Sequence, residues 1–377
     1  MTARTLRPWG WIHTWSSLIC TLFMLLLCLT GLPLIFSDEI DELAGGSFLA
    51  PPLAAGHSPA TADAVAASAV RHLPGLVPLY LFSEPDHPEL WFAKLDSRPD
   101  SDERNARLLA VAASDASVLG EPAFGQGFMH WMYRLHVDLF AGLAGKLFLG
   151  AMGLLLLVSI VSGAILYAPF MRKLDFGTIR RQRKRRLFWL DQHNLIGIAT
   201  LTWALAVGAT GVINTWADLL LKAWQAEQLQ QLATGQTQRL LAPGSDFKAE
   251  APAQQALERA LQAAPGMRAA MIAWPGTLLS TPEHFAIILR GDTPLTARLS
   301  QSLLVSPTTG EVLQAGNRPW YITSFQLSQP LHFGDYGGLP LKLLWAALDI
   351  LTIVVLGSGL YLWLAKGKRL GKAASPT

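Results

Sequence analysis

Four of the nine histidines stand at positions whose surroundings recur along the chain. His13 is followed at fixed distances by Thr30-Gly31 and Asp38, and His193 is followed at the same distances by Thr210-Gly211 and Asp218. His136 precedes Gly142 and Lys146 by the spacing with which His332 precedes Gly338 and Lys342. Imidazole is an axial ligand for haem iron. Two matched pairs would hold two b-type haems, His13 with His193 on one and His136 with His332 on the other. The plainer reading makes them interfacial residues at helix ends, and repetition at all four positions argues against it. Cys20 and Cys28 lie about 12 Å apart along a helix and neither sits in C-x-x-C-H, which excludes covalent haem attachment. No glycine-rich nucleotide or flavin motif is present.

The elements that must position these histidines are apolar. The chain is 51% hydrophobic and 15% charged, against about 25% charged in soluble domains. Residues 13–36, 147–170, 194–217 and 343–365 contain one charged residue between them, Asp349. Each stretch exceeds the roughly 20 residues that cross a bilayer core. The first is too long for a signal-peptide core and lacks a cleavage site. Lys and Arg number 2, 8 and 4 in residues 1–12, 171–186 and 366–377, against one acid, Asp175. By the positive-inside rule these pieces are cytoplasmic, as are both termini. The Arg180 to Arg186 run is then membrane-flanking charge, and no nucleic-acid partner is expected.

The expected fold is a membrane protein: a four-helix transmembrane bundle built from two parallel span–soluble–span repeats, with two small α+β domains on the far side. The boundaries read as 1–37 for the tail and first span, 38–140 for the first soluble domain and 141–170 for the second span. They continue as 171–188 for the basic loop, 189–222 for the third span, 223–340 for the second soluble domain, and 341–377 for the fourth span and tail. Each soluble domain opens with an Ala-rich helix, 59–73 or 252–264, stopped by Pro74-Gly75 or Pro265-Gly266. Strands are expected at 76–82 and 89–95 in the first and at 267–273 and 284–289 in the second, each set followed by a strand pair around a turn, within 111–120 and 303–314.

Eighteen residues make five helical turns, which puts Gly31 on the face of His13 about 27 Å further along, and Gly211 likewise above His193. A glycine there would let a planar macrocycle approach the backbone. His130, six residues before His136, lies on another face of a helix and is the rival outer ligand. Asp349 would either relay a proton or bond a buried polar group such as Asn214 or Thr210. Trp131, Tyr133, Arg134, Arg318, Trp320, Tyr321 and Tyr336 flank the outer histidines and would line a ligand cleft; the alternative for the tryptophans is an aromatic belt at the headgroups of the lipid bilayer.

The helix, Pro-Gly and strand units with the ending V-S-P-T-T-G-E-V-L resemble PepSY domains. Together with W-I-H-T-W, R-L-H-V-D-L, D-Q-H-N-L-I-G and P-L-H-F-G around the four histidines, they make nearly the whole chain resemble the PepSY-associated transmembrane family. Within it, the chain looks most like bacterial inner-membrane siderophore-iron reductases of the FoxB type. That resemblance implies an oxidoreductase in the bacterial inner membrane. It would take electrons from an unknown cytoplasmic or membrane donor and reduce a ferric siderophore, possible as a hydroxamate, in the periplasm. The competing classes are a non-enzymatic PepSY sensor or peptidase modulator, and a siderophore or iron permease.

Overall fold

The computed structural model describes residues 3–43, 48, 50–51, 58–84, 87–122, 125–169, 175–181, 184–233, 237–244, 252–293, 296–315 and 319–373. They fall into two units. One comprises Met1–Ile40, Gly125–Leu220 and Leu327–Thr377, the other Asp41–Phe124 and Leu221–Gln326. Residues 125–140 and 327–340, assigned to the soluble domains from sequence, thus belong with the apolar helices, and they carry His136 and His332.

The described helices are α1 (Ala3–Leu34), α2 (Ser37–Leu43), α3 (Ala62–His72), α4 (Gly127–Val137), α5 (Gly142–Tyr167), α6 (Arg185–Ala199), α7 (Leu201–Thr215), α8 (Ala217–Ala233), α9 (Pro252–Ala263), α10 (Trp320–Phe333) and α11 (Gly338–Ala373). Three are long and apolar enough to cross a membrane, over Arg4–Leu34, Gly142–Tyr167 and Gly338–Ala365. The α6–α7 pair passes the same test together but is bent by 66°. The stretch expected to run unbroken over 194–217 is thus two helices meeting at a bend, and the first of them begins earlier, at Arg185. The break falls at Thr200, whose hydroxyl donates to the Ile196 carbonyl at 2.9 Å. Helix α1 packs on α4, α5 and α11, α5 packs on α7, and α6 packs on α11.

In the other unit the strands are β1 (Val77–Phe82), β2 (Leu90–Asp96), β3 (Arg107–Ala112), β4 (Val118–Gly120), β5 (Thr237–Leu241), β6 (Met267–Ala273), β7 (Phe285–Gly291), β8 (Ser300–Val305) and β9 (Val312–Ala315). They form one antiparallel sheet in the order β4-β3-β2-β1-β6-β7-β8-β9-β5. Two separate small domains were expected; the halves are joined through β1 and β6, with Leu81 opposite Ile272. Each of these strands would otherwise leave an open edge, and pairing the two removes both edges. Helices α3 and α9 contribute Val65, Ala69, Ala256 and Ala260 to a shared core with Leu81, Leu95, Leu109, Ile272, Ile287 and Leu303. Alanines on both helices allow close approach to the sheet. Thr61 caps α3 by accepting from the Ala64 N–H. Gly75 and Gly266 take φ of 89° and 78° after α3 and α9, where a side chain would be strained.

Candidate functional site

The four histidines converge as two pairs within the helical unit. His13 on α1 and His193 on α6 have ring centres 6.3 Å apart, with planes at 68°. His136 on α4 and His332 on α10 have centres 6.2 Å apart and planes at 61°. Each pair takes one member from each sequence repeat.

Every one of the four rings is held through Nδ1. His13 Nδ1 donates to the Ser159 carbonyl at 2.9 Å, with Ser162 Oγ at 3.4 Å. His193 Nδ1 donates to the Val355 carbonyl at 3.1 Å, with Ser358 Oγ at 3.0 Å. His332 Nδ1 donates to the Val207 carbonyl at 3.0 Å, with Thr210 Oγ1 at 3.4 Å. His136 Nδ1 lies 3.0 Å from Thr30 Oγ1, with the Leu27 carbonyl beside it. The hydroxyls donate their own protons to carbonyls of their helices, Thr30 to Leu26, Ser162 to Val158, Thr210 to Ala206 and Ser358 to Val355. They therefore face the rings as acceptors. A carbonyl and an accepting hydroxyl on one nitrogen put the ring proton on Nδ1 and leave the lone pair on Nε2, the form a metal binds.

A glycine makes each of these contacts possible. A Cβ on Gly31 would stand 3.0 Å from His136 Cε1, on Gly211 3.0 Å from His332 Cε1, on Gly163 3.0 Å from His13 Cε1, and on Gly359 3.3 Å from His193 Cε1. In each case the accepting carbonyl belongs to the residue one helical turn before the glycine, and the hydroxyl to the residue just before it. The missing Cβ opens a notch through which the imidazole reaches a carbonyl already bonded within its helix. Gly31 and Gly211 thus seat His136 and His332, and an imidazole lies where a macrocycle was expected to approach. The 27 Å arithmetic holds along unbroken α1 but fails between His193 and Gly211, where the bend at Thr200 intervenes. Gly163 and Gly359 were missed from sequence, although Ser162-Gly163 and Ser358-Gly359 echo Thr30-Gly31 and Thr210-Gly211.

The pairs suit a haem on three counts. Two imidazoles trans on one metal, with bonds of about 2.1 Å to their nitrogens, have ring centres about 6.4 Å apart, close to both observed separations. The Nε2 lone pairs are available. Each pair would thus leave two imidazole nitrogens for a metal whose remaining ligands come from elsewhere, a donor set that haem iron takes from proteins; among the described residues no group of three or more His, Cys, Asp or Glu is gathered.

Ion pairs also link the repeats. Lys146 Nζ bonds Asp218 at 2.8 Å, and Lys342 Nζ bonds Glu39 at 2.9 Å with Asp38 at 3.6 Å. His136, rather than its rival His130, meets His332. Asp349 bonds neither Asn214 nor Thr210: Cys28 lies beside it, and Asn214 Oδ1 accepts instead from Ser328 at 2.6 Å.

The aromatic and arginine candidates separate. Arg134 Nε bonds Asp138 at 3.0 Å, and Asp138 also accepts from the Phe140 N–H. This pins the turn between α4 and α5, where Leu139 and Phe140 hold positive φ; Arg134 is thereby engaged within the helical unit. Trp131 and Tyr133 are exposed, and Tyr336 packs edge-on to Trp345. Trp320 and Tyr321 belong to the other unit, with Tyr321 bonded to Glu227 at 2.9 Å. Arg318 lies outside the described residues. No single unit assembles the set into one cleft.

Paired histidines on apolar helices define a multi-pass membrane protein with two candidate metal centres. The chain belongs to the family described as the PepSY-associated TM region, whose model matches residues 10–366. It is similar to an uncharacterised protein of Pseudomonas aeruginosa, with 28% identity over 251 residues. The match spans 62% of this chain and 63% of that relative's length.

Proposed function

We propose that the chain is a di-haem b reductase of the bacterial inner membrane, a four-helix bundle with both termini cytoplasmic. It takes electrons from a donor on the cytoplasmic or membrane side and reduces a ferric siderophore in the periplasm, releasing iron as Fe(II). The observation that carries this reading is the pair of bis-imidazole arrangements, each ring tied through Nδ1 and spaced for a metal between. Basic residues around α1, α6 and the end of α11 support an inner position for the His13–His193 pair and an outer one for His136–His332.

His13 and His193 would hold one haem and His136 and His332 the other, and each bound group would supply one-electron redox chemistry. The chain's own part is to fix ring orientation and tautomer through the four notches and to keep Nε2 free. Cys20, Met24, Met152 and Leu356 form a buried apolar cluster in the helical unit. Fe(II) binds hard oxygen ligands more weakly than Fe(III), so reduction loosens an oxygen chelate.

The test is a visible spectrum of full-length protein purified with adequate haem supply. The expected result is b-type bands on reduction, about two haems per chain, and Fe(II) captured by a ferrous chelator when ferric hydroxamate is added to reduced protein. A colourless preparation favours the sensor or permease readings and defeats this one. Two haems with no Fe(II) release would leave an electron carrier with a different acceptor.

A further inference from the structure

Asp349 is a carboxylate inside an apolar helix, 7% exposed. The Cys28 side chain of α1 lies beside it. Its Oδ2 is buried with no hydrogen-bond partner among the described residues. Buried polar atoms are nearly always paired, and an orphaned acid within a span points to function.

Its surroundings fix which metal centre it belongs to. Cys28 and Gly31 are three residues apart on α1, on neighbouring positions of one face and about 4.5 Å along the axis. Gly31 touches His136. His13 lies fifteen residues from Cys28 on the same helix, about 22 Å away. Asp349 therefore stands about one helical turn inward of the outer imidazole pair. From α1, Cys28 is the titratable group that meets it. From α6, Asp191 is paired with Arg180, and His193 faces Gly359, ten residues further along α11. On α11 itself, Lys342 is two turns outward and paired with Glu39 and Asp38. One turn before Asp349, Trp345 meets Trp203 of α7 edge-on.

We infer that Asp349 is the proton acceptor coupled to reduction of the outer centre, an inference that rests on the di-haem reading. When an electron from the donor reaches a haem that His136 and His332 would hold, Asp349 Oδ2 would take up one proton from water, and it would give that proton back on reoxidation. The thiol of Cys28, beside it, keeps its proton and takes no part in the transfer. A unit charge roughly 10 Å away at an effective dielectric of about 20 changes proton affinity on the order of tenfold. That coupling is large enough to read.

The experiment is an optical redox titration of the full chain in detergent at several pH values, with the outer midpoint identified in His13→Ala. The outer midpoint should fall as pH rises through the range in which Asp349 titrates, by about 59 mV in all, the one-electron equivalent of a tenfold change in the reduction constant. The inner midpoint should stay level. Asp349→Asn should flatten the outer dependence with both haems retained, and Asp349→Glu should restore it. A redox difference infrared spectrum of the wild-type protein should show a protonated carboxyl band appearing on reduction. A slope unchanged in Asp349→Asn overturns the proposal, as does a level outer midpoint or the absence of the carboxyl band in the wild type. Any of these leaves two haems in place and the reductase reading intact, whereas colourless protein overturns both.

Discussion

His136 sits against Gly31 so closely that a Cβ there would stand 3.0 Å from the imidazole Cε1. The partner of His136, His332, has the same relation to Gly211. Gly31→Leu or Gly211→Leu should push the outer ring out of its notch and remove or distort one of two haems, while the inner one persists. Gly163→Leu and Gly359→Leu should give the reverse. Haem content and both midpoints, measured on all four variants, check this; equal loss of both haems in every variant would show that the glycines serve helix packing instead.

The hydroxyls closest to Nδ1 are Thr30 and Ser358, each at 3.0 Å. Accepting the Nδ1 proton makes the imidazole a stronger donor to iron and favours Fe(III). Thr30→Ala should raise the outer midpoint and Ser358→Ala the inner one. A hydrogen bond contributes about 0.5–1.5 kcal/mol, which corresponds to a shift of tens of millivolts, about a tenfold change or less. Spectroelectrochemistry reads both. A shift in the wrong centre would sink the assignment of hydroxyl to pair.

Removing single ligands should separate the centres. His13→Ala or His193→Ala should leave one haem, and His136→Ala should leave the other. His130→Ala should keep both, since His130 meets neither pair. Pyridine haemochrome quantification decides; a haem lost in His130→Ala would reopen the outer pairing.

The joined sheet has its own test. Ile272 is fully buried at the seam opposite Leu81, and Ile272→Ala should cost about 2–5 kcal/mol. Amide exchange measured on the full chain should then speed up in β2 and β3 as well as in β7 and β8. Faster exchange confined to β6–β9 would mean two independently unfolding halves.

Much of this arrangement was legible locally. The spans show in charge-poor runs, and the histidine repeats show in offsets within one half of the chain. The strands of β1–β4 and β6–β9 follow from turn residues and apolar patterning. What escaped were contacts between distant segments. Ser162 and Ser358 meet their histidines across 149 and 165 residues, and a Ser-Gly pair in a span reads as ordinary helix packing until a ring lies on it. The break at Thr200 carries no proline to announce it. The β1–β6 seam joins strands that each look complete within their own half, and β5 is a short edge strand with weak alternation.

The exchange of partners between repeats also governs assembly. When the ribosome has finished the first half, His13 and His136 are each seated in a notch of their own half, yet neither faces a second imidazole. Lys146 is without Asp218, and β1 is without β6. Translation of α6 supplies the first missing ring, and α10 supplies the last. The His13–His193 pair can thus meet once α6 is made, but Gly359, which seats His193, and His332 itself both come later, so the two pairs are complete and seated only when the polypeptide is nearly whole.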